Sequence, residues 1–170
     1  NQADKKLFSQ FRKYKTFVAA STHNTEELFA AKTHILLKKK IKNIITIIIP
    51  RHINRIDQII SQINELGLNA ISRRSNKKKL DNIDIYLVDT FGETKKFYKF
   101  ATTVFLGGSI IKKGGQNPLE PARFGAKILH GPNIDNFKDV YKYLDQLKIS
   151  SSINSPQQCA NSIIFKKNMK

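Results

Sequence analysis

The sequence predicts an α/β protein with a doubly wound parallel sheet, on three observations. Short apolar runs alternate with amphipathic stretches almost from end to end, the pattern of successive βαβ units. One run, Ile44 to Ile49, is apolar without alternation, as a strand covered on both faces requires. No internal repeat, low-complexity linker or compositional break divides the 170 residues, so the chain reads as one domain.

Thr16 to Ala20 (TFVAA) reads as the first strand. Thr25 to Lys40 reads as a helix entered through Ser21, Thr22 and acidic residues that suit its dipole. The run Ile44 to Ile49, closed by Pro50, leads to a helix from about Asn54 to Leu66, which Gly67 stops. Asn69 to Ser72 reads as a short strand, Arg73 to Asn82 as a polar loop and Ile83 to Val88 as a strand. Beyond it come a helix over Gly92 to Phe100, an extended Thr103 to Leu106, a helix over Pro118 to Phe124 and an extended Lys127 to Leu129. Helices over Asn136 to Leu147 and Pro156 to Lys167 finish the chain. No element is recognisable before Thr16. The start at Asn1, without a methionine or a signal-like apolar segment, leads us to expect a piece of a longer polypeptide.

A formal charge of +17 predicts attraction to anions, whether nucleic acid, an acidic membrane surface or a phosphorylated small molecule. Lysine, asparagine and isoleucine all have AT-rich codons, so genomic base composition is an equal alternative source of that charge. The single cysteine, Cys159, excludes an internal disulfide and a cysteine-rich zinc site and suits a reducing compartment. The longest apolar run falls far short of the roughly 20 residues that span a bilayer. The histidines His23, His34, His52 and His130 form no metal-ligand spacing, so no metal is expected. The run Lys77 to Lys79 reads as a solvated loop, and the lack of an aromatic-rich RNA motif weighs against nucleic acid.

In open α/β sheets ligands bind at the carboxyl ends of strands, and four polar clusters fall there: ASTHNTEE, PRHINR, DTFGE and GGQNPLEPA. Gly114 and Gly115 leave the backbone open to a ligand, while Asn117 can cap a helix whose first residue is Pro118. The N–H groups of such a helix favour a phosphate. Asn117 and Glu120 also have capping-box spacing, so function and capping stand level for Glu120 on spacing alone. Arg51 and Arg55 have guanidinium groups suited to phosphate or carboxylate, against a plain reading as solvated charges. In DTFGE, Gly92 permits a tight turn and Glu93 falls at a helix start, where an ordinary acidic first turn is the plain reading. His23 with Glu26 and Glu27 is a further polar group, of acid–base or ligating type.

Taken together and in this order, the four clusters resemble the C-terminal half of the bacterial lipid A Kdo transferases. These enzymes move 3-deoxy-D-manno-octulosonic acid (Kdo) from CMP-Kdo to a lipid A precursor in lipopolysaccharide biosynthesis. The likeness runs from roughly Thr16 to Leu147. It implies one half of a GT-B glycosyltransferase built from two Rossmann-like domains, the half that binds CMP-Kdo, with no metal or other cofactor. Donor contacts implied by the resemblance fall on Pro50 and Arg51, on Phe91, Gly92 and Glu93, and on Asn117, Pro118, Leu119 and Glu120. Ser21, His23, Glu26, Arg55, Gly114 and Gly115 are further candidates. Glu120 is placed to accept hydrogen bonds from ribose hydroxyls as well as to cap its helix. The chain departs from the family pattern at Thr25, where a glycine is common, and at Gln116, where a histidine is common.

The resemblance further implies a lipid A precursor and the inner-membrane surface as partners, reached through an N-terminal acceptor domain that carries the general base. No catalytic residue is assigned to this chain, which by itself is expected to be soluble and inactive. The full enzyme would act at the cytoplasmic face of the inner membrane, without nucleic acid. The alternative, from charge alone, is a basic binding module for nucleic acid or an acidic membrane surface.

Overall fold

A computed structural model describes residues 2–75 and 79–166. Lys77 and Lys78 of the lysine run, the middle of the expected polar loop, Asn1 and Lys167 lie outside the described residues. The strands are β1 (Lys15–Thr22), β2 (Ile44–Pro50), β3 (Ala70–Ser72), β4 (Ile85–Leu87), β5 (Thr103–Leu106), β6 (Lys127–His130) and β7 (Ser150–Ser152). They form a seven-stranded sheet in the order β3-β4-β2-β1-β5-β6-β7, and each neighbouring pair is parallel. The predicted doubly wound, Rossmann-like α/β architecture is therefore the observed one.

Alternation along the strands sends side chains into two cores. On one side Val18, Ala20, Ile45, Ile47, Tyr86, Val104 and Ile128 meet α1 (Gln2–Phe11), α4 (Thr94–Tyr98), α5 (Leu119–Arg123) and α6 (Lys138–Gln146). On the other, Phe17, Ala19, Ile44, Ile48, Leu87, Phe105 and Leu129 meet α2 (Glu26–Lys38), α3 (Ile56–Glu65) and α7 (Pro156–Ser162). The run of β2, apolar except for Thr46, is buried at each position, because both of its faces are covered.

Two elements differ from expectation outright. The helix α1 carries only Leu7, Phe8 and Phe11 as its apolar contribution, yet Leu7 and Phe11 are buried and Phe11 meets Tyr86 edge to face. The edge strand β7 is three serines, with no apolar signature, and exists because Ile128, Leu129 and His130 offer it a free ladder. The helix expected from Asn136 divides into a short 3-10 turn, Asp135–Phe137, and α6. The helix α7 ends at Ser162, short of the expected Lys167. Gly67 stops α3 as expected, in a left-handed conformation at φ 82 with its N–H on the Asn64 carbonyl.

Candidate functional site

The strand order reverses between β1 and β5, since the chain runs outward from β1 through β2 and later resumes on the other side at β5. Loops leaving their carboxyl ends diverge there and open a crevice. β1 ends in an irregularity between Ala20 and Thr22, with Ser21 in the left-handed region at φ 57. The Arg51 N–H donates to the Thr22 carbonyl at 2.9 Å and the Gly107 N–H to that of Ala20 at 2.8 Å, which locks three loops together. Gly107 is obligatory, because a Cβ there would stand 2.3 Å from the Ser21 carbonyl oxygen. A polar cleft of about 360 Å³ lies alongside, lined by Ser21, Thr94, Tyr98, Gln116, Asn117, Leu119, Glu120 and Arg123 among others.

This cleft joins the first and last of the four sequence clusters. Asn117 Oδ1 accepts from the Leu119 N–H at 3.0 Å, the capping bond that its spacing predicts, and Ala122 N–H closes the first turn onto the Pro118 carbonyl. The other half of the capping box is not made. The Glu120 carboxylate instead lies 3.9 Å from Lys95 Nζ with its side chain 46% exposed, so its lone pairs face the cleft largely free. Pro118 and Gly115 are buried. The two glycines correct the expectation of a backbone left open to ligand. A Cβ on Gly114 would lie 2.4 Å from the Asn136 side chain, and one on Gly115 would lie 3.3 Å from the Asn133 carbonyl. They are glycines because this loop is pressed against the turn before α6, at φ 79 and 81.

In the DTFGE cluster, Gly92 makes the tight turn at φ 72 and Phe91 projects from it, 83% exposed. Glu93 is the hub of an ion-pair network rather than an ordinary acidic first turn. Its Oε1 accepts from Arg73 Nε at 2.6 Å and from the Thr90 hydroxyl, and its Oε2 from Arg73 Nη2 at 2.9 Å and Lys96 Nζ at 2.8 Å. Arg73 and Lys96 also hold Asp4 of α1, at 2.8 and 3.1 Å. The Arg73 hydrogen bonds, foremost, hold the Glu93 carboxyl far below the usual carboxylate range. The carboxylate oxygens of Glu93 are thus occupied within the chain, so its side chain serves first to hold this turn.

Around the first two clusters, charge is likewise committed internally. Glu26 is fully buried, and each of its carboxylate oxygens accepts two backbone N–H groups. Its acceptor positions are thus taken by the chain's own backbone. Arg55 grips the buried Glu27 at 2.8 and 3.4 Å, so its guanidinium is an ion-pair partner and not a free clamp. Pro50 ends β2 buried, opposite Thr22. Arg51 is exposed beside it, and among the described residues its guanidinium has no ion-pair partner. His23 Nε2 is buried without a hydrogen-bond partner, its ring edge-on to His52 at 5.7 Å, and burial lowers its pKa below the ordinary histidine value. Among the described residues, no group of three or more His, Cys, Asp and Glu side chains is arranged to hold a metal ion.

Sequence reasoning did not find Arg73, Thr94, Tyr98 or Ser109. Arg73 stood in a stretch read as a polar loop, and nothing local marks its partners 20 and 69 residues away. Ser109 Oγ donates to the Leu106 carbonyl and accepts from the Gly131 N–H, tying the loops after β5 and β6. The glycine pair just before it, Gly107 and Gly108, was the one available signal.

No family model matches the chain. A 3-deoxy-D-manno-octulosonic acid transferase of Haemophilus influenzae is 32% identical over 139 residues, 82% of this chain and 33% of its own length. One from Rickettsia bellii is 33% identical over 160 residues, 94% of this chain and 38% of its own length. Among solved structures, the C-terminal CMP-Kdo binding domain of WaaA from Acinetobacter baumannii superposes with a TM-score of 0.83 at 23% identity, over 94% of this chain and 86% of that one. That likeness is one of fold, and it is the fold predicted. The chain spans between about a third and two fifths of the length of these two curated relatives. It is a homologue of the bacterial Kdo transferases, matched to them over most of its own sequence and to part of theirs.

Proposed function

We propose that this chain is the donor-binding part of a GT-B Kdo transferase and binds CMP-Kdo at the crevice between the loops of β1 and β5. The observation that carries the reading is the polar cleft there, which Glu120 lines half-exposed with only Lys95 beside it at 3.9 Å. Arg51 stands exposed just past the carboxyl end of β2, while the neighbouring Glu26, Glu27, Arg55 and Glu93 are committed internally. CMP-Kdo brings ribose hydroxyls, which a carboxylate accepts from, and a phosphate and a carboxylate, which a guanidinium donates to. Phe91, at the tip of the turn held by Glu93, offers an exposed ring to the donor. Asn117, Pro118 and Leu119 set the backbone on which Glu120 stands.

In this reading the full enzyme transfers Kdo to a lipid A precursor at the cytoplasmic face of the inner membrane, with inversion and without a metal. A base outside this chain takes the proton of the acceptor hydroxyl, which attacks the anomeric carbon. Arg51 stabilises the departing CMP. Among the described residues no helix is long and apolar enough to cross a membrane. Calorimetric titration tests the reading: the chain should bind CMP with an affinity in the millimolar range or tighter, at physiological salt. A folded sample that is silent to millimolar CMP would overturn it. Kdo transfer by the chain alone should be undetectable, and robust transfer would refute the placement of the base elsewhere.

A further inference from the structure

Glu26 is the first residue of α2 and fully buried, yet its carboxylate reaches across to a loop more than 80 residues away. Oε1 accepts from the Gly108 N–H at 2.7 Å and from the His23 N–H at 3.0 Å. Oε2 accepts from the Ser109 N–H at 3.2 Å and the Ile110 N–H at 3.0 Å. Three consecutive amides, opened by Gly108 at φ 70, therefore converge on one anion. Successive N–H groups in such a conformation form a nest of the kind that elsewhere receives phosphate. This nest sits at the carboxyl end of β5 beside β1, where a doubly wound fold presents its ligand crevice. Here the anion comes from the chain itself.

We propose that Glu26 is a built-in occupant of the phosphate nest at the switch point, and that it thereby restricts the crevice to donors carrying a single phosphate. Resting on the CMP-sugar reading above, the inference adds a specificity-determining residue to it. A nucleoside diphosphate would bring a second phosphate to a crevice whose nest amides, at Gly108, Ser109 and Ile110, are already taken. Its extra charge gains no partner there. The sequence supports the arrangement on both sides: Gly107 lets the loop approach β1 closely, Gly108 supplies the left-handed turn at φ 70 that opens the nest, and Glu26 has no exposed surface through which solvent could compete.

The test compares CMP with CDP by calorimetry on the natural chain, on Glu26→Ala and on Glu26→Gln, and follows melting temperature in sodium formate against sodium chloride at equal ionic strength. The natural chain should bind CDP no more tightly than CMP. In Glu26→Ala the nest is vacated, so formate should raise the melting temperature by several degrees over chloride, and CDP should gain roughly tenfold on CMP. Glu26→Gln still fills the space and should leave the CDP-to-CMP ratio as in the natural chain. Tenfold tighter CDP binding by the natural chain, or a folded Glu26→Ala indifferent to formate, overturns the proposal. A Glu26→Ala chain that fails to fold in either salt leaves the natural-chain ratio to decide. Loss of all nucleotide binding by the natural chain would instead sink the donor reading, with the formate response still reporting on the nest.

Discussion

Glu120 and Lys95 approach to only 3.9 Å with both side chains well exposed, an ion pair that contributes little to stability. Removing the charge from Glu120 therefore separates binding from folding. Glu120→Gln should leave the melting temperature nearly unchanged while CMP affinity falls tenfold or more, since charge-assisted hydrogen bonds are worth about 1.5 to 3 kcal/mol. Equal CMP affinity in the two proteins would remove Glu120 from the site. Arg51→Ala is the companion on the basic side. Its side chain stands exposed after a buried strand end, so truncation should weaken CMP-Kdo binding by tenfold or more with no shift in melting temperature. A binding constant within twofold of the natural one would count against a guanidinium clamp. Sequence spacing leaves Glu120 level between capping and function; in the structure its carboxylate lies toward Lys95 and does not close the capping box, which removes the capping bond but leaves donor binding to the titration above.

At the level of elements, the sequence was legible wherever an apolar run met a covered strand. Ile44 to Ile49 and Thr103 to Leu106 lie almost where their patterns put them, since burial on both faces leaves no alternative for such residues. What was not legible depends on distant partners. β7 is a strand only by virtue of β6, and α1 is held by the ring contacts of Phe8 and Phe11 with Tyr86, Phe97 and Phe100 and by Asp4. Arg73 is the clearest case: one guanidinium joins the end of β3, the DTFGE turn and α1, and lies over the Phe97 ring at 5.3 Å. Arg73→Ala leaves Glu93 and Asp4 partly buried without their main partner, and should destabilise the chain by about 2 kcal/mol or more in urea unfolding. Arg73→Lys, which lacks the planar fork, should recover only part of it. A loss below about 0.5 kcal/mol for Arg73→Ala would show the network to be ordinary surface charge.

Across the whole molecule, the two cores are joined through the sheet, and a few buried polar groups fix how its layers sit. His34 of α2 is one, without exposed surface, its Nδ1 2.8 Å from the Thr46 hydroxyl on β2 and its Nε2 3.3 Å from the Asp84 carboxylate just before β4. A neutral ring with its proton on Nε2 satisfies both contacts, accepting from Thr46 and donating to Asp84. Burial lowers the His34 pKa below its ordinary value, and the opposing pull of Asp84 does not reverse it. His23 shifts in the same direction, also through burial. In the unfolded chain both imidazoles take up protons near pH 6.5, before they do so in the folded one. Their contribution is therefore complete above pH 6.5 and is lost as pH falls toward the lower folded values. We expect the urea midpoint to be steady from pH 8 to 7 and to fall between pH 6.5 and 5. This loss comes before the carboxylate limb, which Glu93 and Asp4 place below pH 4.5 because their folded pKa values are lowered by Arg73. In His34→Gln, which carries no proton to take up, the fall between pH 6.5 and 5 should be visibly shallower than in the natural chain. An unchanged slope in that variant would show that His34 does not carry the acid sensitivity, and would leave His23 as the group to replace next.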